Sequence, residues 1–346
     1  MKPLVSILIP AYNAEEWIAD TLQSALGQTW PNKEIIVVDD GSRDQTLAVA
    51  QRFASKEVRV VSQKNQGAAA ARNAAFSNCR GDYIQWLDAD DLLAPDKIAK
   101  QVEAAESCPG KRTLLSSAWG RFSYRAHRAK FSPTPLWCDL APTEWLLRKL
   151  EHNAFMQTGT WLVSRELTEA AGPWDTRLLG DDDGEYFCRV LVASDGVRFV
   201  PDAKLLYRIV GAGRLSHIGR SDRKMEAQLV SMRLHIGYLR SLEESQRVRT
   251  ACLKYLQRWL IYFYPERPDI VEQAQQLAAG VGGALEIPRL SWKYAWIAKA
   301  FGWGLAKRAQ FVLPQLRLAL TRSLDKALFR LEGSKPFRND PGSRSA

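Results

Sequence analysis

The chain has 346 residues, enough for one large domain plus an appendage at the usual ~100–200 residues per domain. Its 46 % hydrophobic and 25 % charged content is that of a globular protein and excludes disorder throughout. The net charge of +10 does not mark a nucleic-acid surface: residues 291–346 hold 11 Lys/Arg against 3 Asp/Glu, so the excess sits in the tail and no nucleic acid is expected as a partner.

Cys79, Cys108, Cys138, Cys188 and Cys252 are scattered, with no CxxC pair and no histidine at zinc-ligand spacing. That predicts a reducing compartment rather than a disulfide framework or a structural zinc. Residues 4–9 are too short for a signal peptide's apolar core, and no 18-residue apolar run free of charge occurs. The expectation is a cytoplasmic catalytic part without a spanning helix.

In chain order, residues 4–9, 34–38, 58–62 and 83–87 are apolar, Val/Ile-rich runs that read as buried strands. Between them, residues 14–27, 44–55 and 67–79 have helical composition and caps nearby. The alternation predicts an α/β fold, a mostly parallel twisted sheet flanked by helices, with ligands bound beyond the carboxyl ends of the strands. Further on, residues 112–117 and 160–164 read as strands, and 145–151, 165–171 and 183–192 as helices. Residues 198–200 and 204–207 read as strand fragments. From residue 221 the pattern is helical, punctuated by Pro265, Pro268, Pro288 and Pro314, and residues 335–346 are expected to be loose.

Four polar clusters stand at the predicted ends. Pro10, Ala11, Tyr12 and Asn13 follow the first strand, where proline stops the ladder and an aromatic and an amide could hold a base. A plain strand-to-helix turn explains them equally. Asp39, Asp40, Gly41, Ser42 and Asp44 follow the second strand. Capping by Ser42 and a helix-dipole role for Asp44 cover those two but leave Asp39 unexplained. Asp88, Asp90 and Asp91 crowd the end of the fourth strand, where a Mg²⁺ or Mn²⁺ bridging a diphosphate would relieve their repulsion. An acidic surface loop is the alternative. Gly67, Arg72 and Asn73 set a small residue and a cation near the same end, able to balance diphosphate charge. The last cluster, Asp181, Asp182, Asp183, Gly184 and Glu185, has Arg189 one turn beyond Glu185.

Together these residues resemble the family 2 glycosyltransferases of the GT-A fold, from about Pro3 to Ser216. The likeness rests on Val5–Asn13, Asp39-Asp40-Gly41-Ser42, Gly67 through Arg72-Asn73, and Leu87-Asp88-Ala89-Asp90-Asp91. It implies a glycosyltransferase domain over 1–218, with a nucleotide-sugar half at 1–110 and an acceptor half at 111–218, followed by a helical region at 219–346. It further implies that Pro10, Tyr12, Asn13, Asp39, Gly67, Arg72 and Asp88 bind the donor, with Asp39 facing the base. Asp90 would hold Mn²⁺ or Mg²⁺, with Asp88 and His217 as further candidates. The stretch Asp182-Asp183-Gly184-Glu185 resembles the family's Glu-Asp-x-Glu acceptor motif with Asp in place of the first Glu. Asp183 is accordingly the expected base, Asp182 the alternative, and Glu185 and Arg189 support. Gly213 to His217 resemble a loop that closes over the donor.

The implied reaction is an inverting hexosyl-type transfer from a nucleotide-diphosphate sugar to a carbohydrate or lipid-linked hydroxyl, in cell-surface polysaccharide, lipopolysaccharide or glycolipid synthesis. A nucleotidyltransferase would want a Gly/Lys/Arg-rich phosphate loop that Pro10–Asn13 do not supply. A non-catalytic membrane scaffold would not need intact carboxylate clusters. In the tail, Trp292, Trp296 and Trp303 fall on one helical stripe. Pro314 is expected to open a second helix, on which Leu316, Leu320, Leu324, Ala327 and Leu331 share a face. Two readings stay open: packing on the catalytic domain, or peripheral attachment to an anionic membrane surface on the inner face of the cytoplasmic membrane.

Overall fold

The computed structural model describes residues 2–108, 110–210 and 221–332. The first third runs β1 (Val5–Ala11), α1 (Ile18–Leu26), β2 (Lys33–Asp39), α2 (Thr46–Gln51), β3 (Val58–Ser62), α3 (Ala68–Ser77) and β4 (Tyr83–Trp86). Next come β5 (Leu92–Leu93), α4 (Lys97–Glu106), β6 (Thr113–Phe122), β7 (Lys130–Phe131), α5 (Pro142–His152), β8 (Val163–Ser164), α6 (Arg165–Ala171), α7 (Asp182–Ala193) and β9 (Gly196–Arg208). The remainder is helical: α8 (Asp222–Leu242), α9 (Gln246–Phe263), α10 (Pro268–Gly280), α11 (Ala295–Phe301) and α12 (Trp303–Leu331).

The main sheet has the order β3-β2-β1-β4-β8, with β1 to β4 parallel and β8 antiparallel on the edge. Val5, Ile7, Leu8 and Ile9 on β1 are fully buried, as a central strand covered on both faces requires. The register aligns the strand mouths. Ala11 is level with Asp39, and Leu8 with Trp86, which puts Asp88 level with Pro10. The α/β class and its parallel sheet are as the residue pattern implies.

A second sheet, β5-β9-β6-β7, flanks the first. Its long strand β9 spans what reads from the sequence as two fragments. Pro201 cannot donate to the ladder, and the register slips between Ser117 and Ala118, so the strand bulges there and resumes at Lys204. The two-residue strands β5 and β7 show no period and are not predicted.

In the helical region, α8 packs on α7 and α9 on α5, so this part is docked on the sheet-bearing part. The tail departs from expectation. Pro314 does not begin a helix but lies inside α12, at the loss of one backbone hydrogen bond. The break comes at Gly302, whose φ of +85° favours glycine. Trp292, Trp296 and Trp303 therefore belong to separate elements, and the single tryptophan stripe does not form. One side of α12 is tied down. Asp325 accepts hydrogen bonds from Tyr124 N (2.9 Å) and Arg125 Nε (2.7 Å), Glu332 pairs with Arg125, and Phe311 packs on Tyr262. The other side is bare: Leu316, Leu320, Leu324 and Leu331 are 55, 74, 62 and 83 % exposed. No helix among the described residues is long and apolar enough to cross a membrane.

Candidate functional site

The mouth of β1 and the mouth of β2 hold each other. Asn13, with φ of +49°, accepts a hydrogen bond from Arg43 N at its Oδ1 (2.9 Å), while Asn13 N donates to Ser42 Oγ (3.0 Å). Ser42 is thus not the cap of α2. The N-cap is Gln45, whose side chain makes no capping hydrogen bond, and Asp44 just before it accepts Thr46 N at 2.9 Å. Tyr12 stays 46 % exposed and Pro10 half-buried beside it. Asp39 is 1 % exposed. Its Oδ2 accepts from Ser42 N, but Oδ1 has no partner among the described residues, an acceptor buried at the mouth.

Asp40 has a different job, which its neighbour's company disguised in the sequence. Its carboxylate accepts from Gln63 Nε2, Gln66 N and Gly67 N (2.7, 2.9 and 2.8 Å), and so fixes the start of α3 and Gly67 with it.

The acidic loop after β4 is held from behind. Asp91, fully buried, accepts Arg208 N at 2.8 Å, and the Arg208 guanidinium donates to Asp90 O and to Asp20 while lying over Trp17. One of the three clustered carboxylates is therefore structural. Asp88 and Asp90 remain half-buried at the mouth.

Arg72 is not a surface cation. It is 6 % exposed, lies over the Trp174 ring, and donates to Asp88 (2.8 Å) and Asp182 (2.6 Å). Burial pulls its pKa down, but the two carboxylates more than reverse this, so the guanidinium is firmly charged. The bridge joins the β4 mouth to the start of α7, its Arg72–Asp182 arm crossing 110 residues of sequence. Asn73 exchanges hydrogen bonds with the backbone of Trp174, and Trp174 stacks on Tyr186 with ring centroids 4.0 Å apart.

At α7 the four acidic side chains divide. Asp181, the N-cap with φ of +55°, accepts from Ser231 Oγ on α8 (2.6 Å). A Cβ at Gly184 would meet Asp181 Oδ1 at 2.0 Å, so any side chain there would displace the Asp181 carboxylate. Glu185 is paired bidentately with Arg189 and accepts from Tyr238 OH, which ties α7 to α8. Asp182 takes Arg72. Asp183 is left with Thr158 Oγ1 at 3.4 Å and the N–H of Gly184 at 2.9 Å, and no cation pairs with it among the described residues. Burial and the charges of Asp182 and Asp181 push its carboxyl up to about 7.

Asp183 lines a cavity of about 410 Å³ between α5, α7, β9 and the helices α8 and α9, with aromatic walls from Trp145, Tyr207, Tyr255 and Trp259. The α8 and α9 walls carry no motif, and nothing in the sequence pattern singles them out. His217 and the loop from Gly213 lie outside the described residues. Among the described residues, no group of three His, Cys, Asp or Glu side chains could by itself hold a metal ion.

Residues 6–169 match the profile of Glycosyl transferase family 2. An uncharacterized glycosyltransferase of Rickettsia typhi is 36 % identical over 200 residues, covering 56 % of this chain and 60 % of that relative's length. The match spans just under half of this chain, and the likeness is that of its residues 6–169 to the family 2 glycosyltransferases. Among solved structures, S. aureus TarS 1–349 in complex with UDP-GlcNAc superposes with a TM-score of 0.64 at 19 % identity, covering 81 % of each chain. A mannosyltransferase from Pyrobaculum calidifontis, in complex with GDP-Man and Mn²⁺, gives 0.52 at 18 % identity, over 96 % of this chain and 88 % of that one. At such identities these two carry the fold.

Proposed function

We propose that this protein is an inverting glycosyltransferase that uses a nucleotide-diphosphate sugar, with residues 1–110 binding the donor and 111–218 the acceptor. The observation that carries the reading is the Asp88–Arg72–Asp182 bridge. It brings the donor-side strand mouth to the start of α7 and consumes Asp182, so that Asp183 is the uncommitted carboxylate beside a cavity. Solved complexes of the same fold with UDP-GlcNAc and with GDP-Man support a nucleotide sugar as the donor class.

On the donor side, the exposed Tyr12 ring offers a stacking face and the unpaired Asp39 Oδ1 an acceptor for a base N–H. In this reading Gly67 and Asn13 shape the donor mouth through the hydrogen bonds already described. On the acceptor side, Asp183 takes the hydroxyl proton as that oxygen bonds to the anomeric carbon and the bond to the diphosphate breaks. The transfer is one displacement that inverts the configuration.

The carboxylates present suit a divalent ion bound in the manner of Mg²⁺ or Mn²⁺, through one or two side chains plus substrate phosphates rather than a full protein cage. Asp90 would hold it, with Asp88 close by and already shared with Arg72. Such an ion neutralises charge on a departing diphosphate. A mannosyltransferase of similar fold in complex with GDP-Man and Mn²⁺ supports a divalent ion as the class of cofactor.

Replacing Asp183 by Asn should lower transfer by roughly 10²–10⁴-fold, the usual worth of a general base. Transfer at the wild-type rate would remove Asp183 from that role, and a product with the donor's anomeric configuration would remove inversion.

A second observation favours a peripheral membrane position. The exposed leucines of α12 lie opposite its docked side. The only acidic residues between 291 and 332, Asp325 and Glu332, both face Arg125, while Lys293, Lys299, Arg308, Arg317 and Arg330 are exposed. Apolar stripe and cationic flanks fit an anionic lipid surface on the cytoplasmic side, where a lipid-linked acceptor would be within reach.

A further inference from the structure

The cavity beside Asp183 has two further polar walls that the transfer chemistry leaves unused. Gln228, on α8, is 1 % exposed, and neither its Oε1 nor its Nε2 has a hydrogen-bond partner among the described residues. Lys149, on α5, is 8 % exposed, and its ammonium makes no hydrogen bond or ion pair among the described residues. Carboxylates line the same cavity, yet Asp181 is held by Ser231 and neither it nor Asp183 comes within ion-pairing range of Lys149.

A buried amide without partners costs free energy that a complementary ligand would recover, and the Lys149 ammonium opens on the same cavity as a cation for such a ligand. The remaining walls select further. Trp145, Tyr207, Tyr255 and Trp259 offer flat apolar faces of the kind that cover a sugar ring, and Arg121 adds a second cation. The Asp88–Arg72–Asp182 bridge does not line this cavity, and both its carboxylates are already held by Arg72.

We infer that the acceptor is a sugar bearing an anionic group, a carboxylate or a phosphate, which Lys149 binds while Gln228 hydrogen-bonds a neighbouring hydroxyl or amide. The inference rests on the reading of the Asp183 cavity as the acceptor site. It also assigns acceptor choice to α5 and α8. Gln228, Tyr255 and Trp259 lie beyond residues 6–169, the part matched by the family profile, so relatives sharing only that part need not share the acceptor.

The test is calorimetric titration of the full chain with methyl β-glucuronide, glucose 6-phosphate and methyl β-glucoside. At least one anionic sugar should bind about tenfold more tightly than the neutral glucoside, the size of one charge-assisted hydrogen bond. Which of the two wins distinguishes carboxylate from phosphate. Lys149→Met should abolish the margin and Lys149→Arg should keep most of it, while Gln228→Leu should weaken all three probes alike. Near-UV circular dichroism of each variant reports whether the aromatic walls stay packed. A wild type that binds the three sugars equally, or binds neither anionic one, overturns the inference, as does a folded Lys149→Met protein that keeps the margin. Failure of the glycosyl-transfer reading would show separately, as a wild type that binds no nucleotide sugar.

Discussion

Asp182 and Asp183 are chemically identical neighbours whose surroundings separate them. The first meets a guanidinium at 2.6 Å, and the second meets a threonine hydroxyl, a backbone N–H and open cavity. Burial raises both, but Arg72 opposes the rise at Asp182 more directly. An Asp183 carboxyl near 7 must lose its proton before it can accept one from a hydroxyl. Transfer should therefore climb as pH rises through about 7 and level off above it. Initial rates across that range, at saturating donor and acceptor, would show the limb, and a rate flat from pH 5 upward would deny it. At this scale the sequence was informative where residue type was unusual. Three carboxylates in four positions after β4 and four in five at α7 were visible. Their division of labour was not, because the partners that decide it, Arg208 for Asp91, Ser231 for Asp181 and Tyr238 for Glu185, stand 50 to 117 residues away.

Elements were legible where local preference and tertiary demand agree. The Val/Ile runs of β1, β2 and β4 are central, buried strands, and β3, on the sheet edge and partly exposed, falls on the residues its composition indicates. Agreement fails where tertiary packing overrides local signals. Pro201 bulges β9 rather than ending it, and Pro314 sits within α12, whose break is set by Gly302. The α12 stripe is the element with the clearest consequence of its own. Residues at i, i+4 and i+8 (Leu316, Leu320, Leu324) project away from the side that Asp325 and Phe311 anchor. The intact chain should float with vesicles containing anionic lipid and less so with neutral ones, and changing these three leucines to Ser should abolish flotation without lowering the melting temperature. Flotation unaffected by the change would show that this face does not meet the bilayer.

For the whole molecule, the helical region is part of the site rather than a trailing appendage. Helices α8 and α9 supply walls of the Asp183 cavity, and α8 also holds Asp181 and Glu185 in place. That arrangement escapes sequence reasoning because Gln228, Tyr255 and Trp259 look like ordinary helix residues until the fold brings them to α7. The two ends of the site also depend on each other. Arg72 spans them, so a charge removed at Asp88 would be felt at Asp182. The account stands or falls on a nucleotide sugar entering the mouth formed by Pro10, Asp39 and Asp90. The most direct measurement is calorimetric binding of a panel of nucleoside-diphosphate sugars to the intact protein, with Mn²⁺ and then with chelator. We expect at least one donor to bind with Mn²⁺, to weaken on chelation, and to weaken likewise in Asp90→Asn. A panel in which no nucleotide sugar binds under either condition would contradict the account.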